Sequence, residues 1–314
     1  FDLLDTQLWW WGVIVLTLGL VTALYGVIFS AVQSDMKRLL AWSSIENIGF
    51  IFTGAGLAIT FHAFGMGKLA ALALTAMLYH SFNHACFKSL LFLATGSVLH
   101  ATHERALGKL GGLIHRMPWV AWLALVGSLA IAGVPPLNGF VSEWLLLQAF
   151  LFTPSLPQAY LNMFVPVATA VVVLAAALAG YVVVKFYGVV FLGRPREDHL
   201  AKAHDAGLWE RAGLLWLAAA CVLLGLFPVF MIDLLGPVVH QLVGEPLGNA
   251  SGWLFLAPIH PERSSYSPLL FLALTCSVVL LIWYLVRTFF HGRFRRGAPW
   301  DCGFPAQTAR MQDT

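Results

Sequence analysis

Seven apolar runs dominate this chain, at about 8–31, 41–60, 69–99, 118–152, 160–192, 209–238 and 267–290. Each reaches or exceeds the roughly 20 residues that a helix needs to cross a bilayer. Open strands cannot satisfy their backbone in hydrocarbon, and the runs lack the alternation of barrel strands, so all seven are expected to be helical. The predicted fold is therefore all-α, a polytopic transmembrane helical bundle of about seven spans. Composition agrees, with 59% hydrophobic and 11% charged residues in 314, where a soluble domain carries about a quarter charged residues. Trp9, Trp10 and Trp11 open the first run as an interfacial aromatic anchor. No charged segment with a small-residue cleavage site opens the chain, so no removable signal peptide is expected. The first residue is Phe1 rather than Met, which leaves open a piece of a longer chain.

The basic residues test the span count. Threading seven spans places every Lys and Arg except Lys68, Arg263, Lys88 and Lys185 on one side or at its boundary. Loops 32–40, 100–117 and 193–208 and the C-terminal tail then share that side. Positive charge collects on the cytoplasmic side, so the expected location is the cell inner membrane, with the N-terminus outside and the C-terminus cytoplasmic. The outer stretch 239–266 reads as a surface connection, and Asp233 as interfacial.

Ionisable residues inside the third run point to a function. In a helix, His80, His84 and Lys88 follow at four-residue spacing and share a face, rising about 12 Å from first to last. A charge at membrane depth costs at least a few kcal/mol, so such groups face a bundle interior or a wet cavity and mark ion or proton paths. Histidine suits a relay because its reference pKa lies near neutrality. The competing reading of His80 and His84 is a pair of hydrogen-bonded core residues. Lys88 lies too deep to snorkel easily, whereas Lys185 could reach the headgroups. Glu46, near the cytoplasmic end of the second run, is open between both readings.

The fourth run carries Gly133-Val134-Pro135-Pro136-Leu137-Asn138-Gly139 near its middle. Consecutive prolines remove backbone donors and the flanking Gly133 and Gly139 loosen the chain, so a helix break is expected there, although a packed kink is the plainer alternative. Freed backbone at membrane depth survives only when buried in protein or lining a cavity, and transporters place such breaks at their ion sites. Glu143 follows one to two turns later, where an acid can accept and release a proton.

Other chemistries find little support. Cys86, Cys221, Cys276 and Cys302 are scattered, and the His80/His84 pair has no third ligand nearby, so no metal and no cofactor are expected. No nucleotide loop, haem motif or cluster-binding cysteine run is present, so the chain reads as a non-catalytic subunit that must draw its driving energy from a partner.

Asp35 through Phe50, the His80-to-Lys88 helix and Gly133 through Glu143 together resemble the antiporter-like proton-translocating subunits shared by respiratory complex I, Mrp-type antiporters and membrane-bound hydrogenases. The resemblance covers about residues 1–195. Glu46-Asn47, where many complex I relatives look like Ser-His, and Trp300-Asp301-Cys302-Gly303-Phe304 lean toward the hydrogenase-4 and formate hydrogenlyase branch.

The resemblance implies two inverted five-helix repeats, each with a broken helix, forming two proton half-channels joined by a polar axis. Residues 1–195 then correspond to the second repeat, and 196–314 to two appended helices and a cytoplasmic tail. Lys88 falls at the family's central axis position with His84 and His80 extending it, and Glu143 at the Lys or Glu of the second broken helix. The first repeat has no counterpart, so a truncated or split chain is expected, representing the C-terminal portion.

The implied function is proton translocation in a redox-driven complex, with other membrane subunits and a peripheral nickel-iron and iron-sulfur module as partners. A sodium/proton or Mrp-type antiporter subunit and a complex I-type NADH-quinone oxidoreductase subunit are the alternatives. The expected route starts on the cytoplasmic side past Lys185 or Glu46, follows Lys88, His84 and His80 with bridging water, and leaves through Glu143.

Overall fold

The computed structural model describes residues 8–154, 156–247, 254–257 and 265–289, and within them the chain is an all-α bundle. Its helices are α1 (Trp9–Ala31), α2 (Met36–Ala63), α3 (Gly67–Thr102), α4 (Pro118–Ile131), α5 (Asn138–Leu151), α6 (Ala159–Phe191), α7 (Leu208–Leu226), α8 (Pro228–Val243) and α9 (Pro268–Phe289). Six of them, α1, α2, α3, α6, α7 and α9, are long and apolar enough to cross a membrane, while α4 and α8 are shorter apolar helices. The Trp300–Phe304 motif and the basic residues Arg263, Arg293, Arg295, Arg296 and Arg310 lie outside the described residues.

Helices α1 and α2 pack antiparallel through glycines spaced seven apart. A Cβ on Gly12 would run into Gly56 and Thr60, one on Gly19 into Gly49 and Thr53, and one on Gly26 into the Glu46 backbone. Lipid offers no hydrophobic drive between helices, so such small residues secure the pair by letting backbones approach. Gly49→Val should therefore cost about 1–3 kcal/mol through overpacking and lower the melting temperature in detergent. Gly180→Ala, with open space around it, should leave that temperature unchanged.

The run at 118–152 divides into α4 and α5, and the backbone shows why. The Gly133 amide bonds Ala130 O (3.2 Å) and the Val134 amide bonds Leu129 O (3.0 Å), with Gly133 at φ +62°. This pairing closes the last turn of α4 on a left-handed residue that favours glycine. Prolines 135 and 136 prevent continuation. A Cβ on Gly139 would collide with Ala130 O, so glycine there lets the start of α5 rest on the end of α4.

The run at 209–238, expected as one span, also divides, into α7 and α8. Pro228 has no amide hydrogen, so it cannot bond the Leu224 carbonyl four residues back. The Tyr79 hydroxyl from α3 donates to that carbonyl instead. A Cβ on Gly225 would meet Pro136 O, Leu137 C and Asn138 N, so this second break is seated directly against the first. Tyr79→Phe leaves a buried acceptor unpaired and should cost about 1–3 kcal/mol, readable as a lower melting temperature.

The loops predicted to share a side do pack on one another. Asp35 caps α2 and pairs with Arg105 at 3.0 Å, and Met36 N bonds Arg105 O. Arg196 bonds Leu107 O at 2.7 Å, and Asp205 accepts from Trp119 N at the start of α4. In the same cluster the Ala106 amide, then the Arg105 amide and Lys109, hold the Glu104 carboxyl below the usual carboxylate range. At the opposite end, Trp9 stacks on Phe64 and touches Tyr160. Helix α9 is apolar and exposed along nearly its whole length.

Candidate functional site

Helix α3 runs through the middle of the bundle and packs against α2, α4, α5, α7 and α8. Its polar residues meet partners on α2 and at the start of α5. Nearest the basic face, the Lys88 ammonium, 5% exposed, donates to Leu40 O at 3.0 Å and to the Ser43 hydroxyl. One turn along α2 from Ser43, Asn47 Nδ2 donates to Ser43 O at 2.8 Å. Asn47 Oδ1 faces His80 Nε2 at 3.2 Å, and His80 Nδ1 faces Ser142 Oγ at 3.0 Å.

Asn83 joins the same cluster. Its Nδ2 donates to Asn138 O at 2.7 Å and to Ser142 Oγ at 3.0 Å, while its Oδ1 accepts from Asn138 Nδ2 at 3.1 Å. Buried amides and hydroxyls are stable only when paired, and this set ties α2, α3 and the first turn of α5 into one polar unit. Asn83, Asn138 and Ser142 were missed by the sequence reading as site residues. Their only signal was polarity within apolar runs, with Asn138 and Ser142 at helical four-residue spacing.

Glu46 and Glu143 flank this unit. Glu46 is 1% exposed and neither carboxylate oxygen has a hydrogen-bond partner among the described residues. Glu143 folds back over the break, and a Cβ on Gly133 would lie 2.6 Å from its Oε2. Lys88 and His80 meet partners one turn apart on α2, Ser43 and Asn47, and Glu46 lies in the turn between them. Glu46, His80 and Lys88 are thus buried and His84 and Glu143 half-buried along one polar band, with two qualifications. Among the described residues no hydrogen bond joins His80, His84 and Lys88 directly, and buried His84 Nε2 is unpartnered. Lys185 stands apart, its ammonium bonding Ala31 O at 3.0 Å and Gln33 O at 3.3 Å at the end of α1.

No group of three or more His, Cys, Asp or Glu capable of holding a metal occurs among the described residues. The band is suited instead to holding and passing protons. It offers a half-buried acid at the break, a buried acid and a buried ammonium near the basic face, two imidazoles, and amide and hydroxyl groups between them. Gly133→Ala should disturb it twice, by strain at positive φ and by displacing the Glu143 carboxylate. Its expected signature is a shifted Glu143 carboxyl band in infrared difference spectra.

Residues 1–172 match the family model described as the transmembrane region of NADH:quinone oxidoreductase and Mrp antiporters. The chain belongs to this antiporter-like family. It is therefore a membrane-embedded, multi-span protein, and its polar band lies in the part of the chain that the family model covers. Among relatives of this antiporter-like chain, hydrogenase-4 component B of Escherichia coli (strain K12) is 34% identical over 96% of the chain and 45% of the relative. Formate hydrogenlyase subunit 3 of the same organism is 34% identical over 94% of the chain and 46% of the relative. The chain thus spans a little under half the length of these relatives. Among solved structures it is similar to a subunit of the membrane-bound sulfane sulfur reductase, an archaeal respiratory membrane complex. That match has a TM-score of 0.75 and 28% identity, covering 94% of this chain and 44% of the other.

Proposed function

We propose that this chain translocates protons as a membrane subunit of a redox-driven complex of the hydrogenase-4 and formate hydrogenlyase type. The observation that carries the reading is the buried band from Lys88 and Glu46 through His80 to the broken helix and Glu143. Proteins retain such groups at membrane depth where ions or protons pass. The two Escherichia coli relatives support the choice of branch. In this reading residues 1–195 form one proton half-channel and 196–314 supply appended helices and a tail. Other membrane subunits and a peripheral nickel-iron and iron-sulfur module complete the complex and drive it.

Protons enter from the basic, cytoplasmic face, where Lys185 stands, and reach Glu46 and Lys88. They pass His84 and His80 with internal water, which the unpaired oxygens of Glu46 and Nε2 of His84 are chemically fitted to bind. They leave by Glu143 to the outside, with the N-terminus outside and the C-terminus cytoplasmic. The test is to purify the complex by a tag on this chain, identify co-eluting subunits, and record vesicle acidification during turnover. Co-elution of hydrogenase subunits and proton movement that stops with electron transfer are expected. Proton movement driven by a sodium gradient alone, with no redox subunit, would instead establish the antiporter alternative, which the breadth of the matched family model supports.

A further inference from the structure

The hydrogen bonds around His80 leave little freedom in where protons sit. A backbone carbonyl only accepts, so Ser43 O fixes the Asn47 amide nitrogen toward itself and turns Asn47 Oδ1 toward His80. His80 Nε2 must then carry hydrogen. Asn138 O fixes the Asn83 nitrogen in the same way, so Ser142 Oγ accepts from Asn83. One hydroxyl proton remains to Ser142, with two well-placed acceptors, His80 Nδ1 at 3.0 Å and Gly139 O at 3.1 Å, and a longer one, Asn138 O at 3.5 Å, already taken by Asn83. Amide orientation and tautomer are thus assigned by the network.

We infer that Ser142 is a positioning residue whose hydroxyl proton reports the charge of His80 to the turn that bears Glu143. This deepens the proton-translocating reading above and rests on it. With His80 neutral, Nδ1 presents a lone pair and Ser142 donates to it. When the ring takes up a proton, it lodges on Nδ1, which becomes the donor, and the Ser142 hydroxyl turns to Gly139 O. No other bond forms or breaks. By α-helical pairing, Gly139 O is also the acceptor of the Glu143 amide, so the added bond falls on the turn that sets the carboxyl against Gly133. The titratable groups on its own helix face are His84 and Lys88, and on the packed helices Glu46 adjoins Asn47 on α2 and Glu143 adjoins Ser142 on α5. The plain alternative is a serine merely bonding back to its own helix, in which His80 would be indifferent to it.

The test uses nitrogen-15 magnetic resonance of histidine-labelled complex in lipid, with His80 assigned by its loss in His80→Gln. Wild type should show neutral His80 protonated at Nε2 with a hydrogen-bonded Nδ1. Ser142→Ala should lose the hydrogen-bond shift of Nδ1 and slow proton flux by about tenfold or more, the scale of one lost hydrogen bond to a group that becomes charged. Ser142→Thr, which keeps the hydroxyl, should restore both. If Ser142→Ala does not assemble, Ser142→Cys, a weaker donor, carries the same expectation. An unchanged Nδ1 signal with wild-type flux in the variant, or a ring protonated at Nδ1 when neutral, overturns the inference. The spectrum is read without pumping, so loss of flux in Glu143→Gln tests the function separately, and an unshifted Nδ1 defeats the switch whatever that variant does.

Discussion

Glu143→Gln is expected to abolish proton translocation while leaving the bundle assembled. Glutamine matches glutamate in size, so it can occupy the space over Gly133 that the left-handed backbone provides. The residue is largely enclosed, and a neutral amide removes the cost of burying a charge, so stability should hold or rise slightly. What the amide cannot do is bind and release a proton. With Glu143, the one acidic residue within α5, replaced, the route ends at His80 and Ser142. Acidification per electron should fall by the whole contribution of this chain, while co-eluting subunits and electron transfer persist.

Lys88→Arg should have an effect nearly as large, for a different reason. Arginine keeps the positive charge beside Glu46 and can still donate to Leu40 O and Ser43. The hydrogen bonding that holds the buried cation is therefore retained, and the protein should fold. Its guanidinium, however, does not lose a proton in proteins, so a lysine that relays protons cannot be replaced by it. Flux is expected to collapse with little change in melting temperature. If Lys88 only balances charge, Lys88→Arg would translocate normally. Lys88→Met separates the roles further, because it removes the charge and the donor that Leu40 O and the Ser43 hydroxyl accept from. Leaving those buried acceptors unpaired costs about 1–3 kcal/mol, so that variant should lose stability as well as flux.

These contrasts reflect what could be read from the chain and what could not. The break at Gly133 to Gly139 is local chemistry, since proline and glycine act on their own backbone, and the expected interruption coincides with the end of α4 and the start of α5. The helical spacing of His80 and Lys88 is likewise local, and both side chains are buried. The division at Phe227 rests on a single proline whose freed carbonyl is answered by Tyr79, distant in sequence, so local pattern underweights it. The glycine repeat joining α1 to α2 was legible in principle, from Gly12, Gly19 and Gly26 set against Gly49 and Gly56, but only once the two runs are aligned antiparallel. Asn83, Asn138 and Ser142 gain their meaning from α3 meeting α5, which no spacing within either run discloses. Lys185 illustrates the converse. A lysine in an apolar run reads as a candidate for the route, yet its reach carries it to the carbonyls ending α1.

The most direct test of the account is simultaneous recording of electron transfer and vesicle acidification in the purified complex, comparing wild type with Glu143→Gln and Lys88→Arg. Electron transfer should persist in all three, with the acidification per electron that this chain contributes lost in both variants. Wild-type acidification per electron in Glu143→Gln would contradict it.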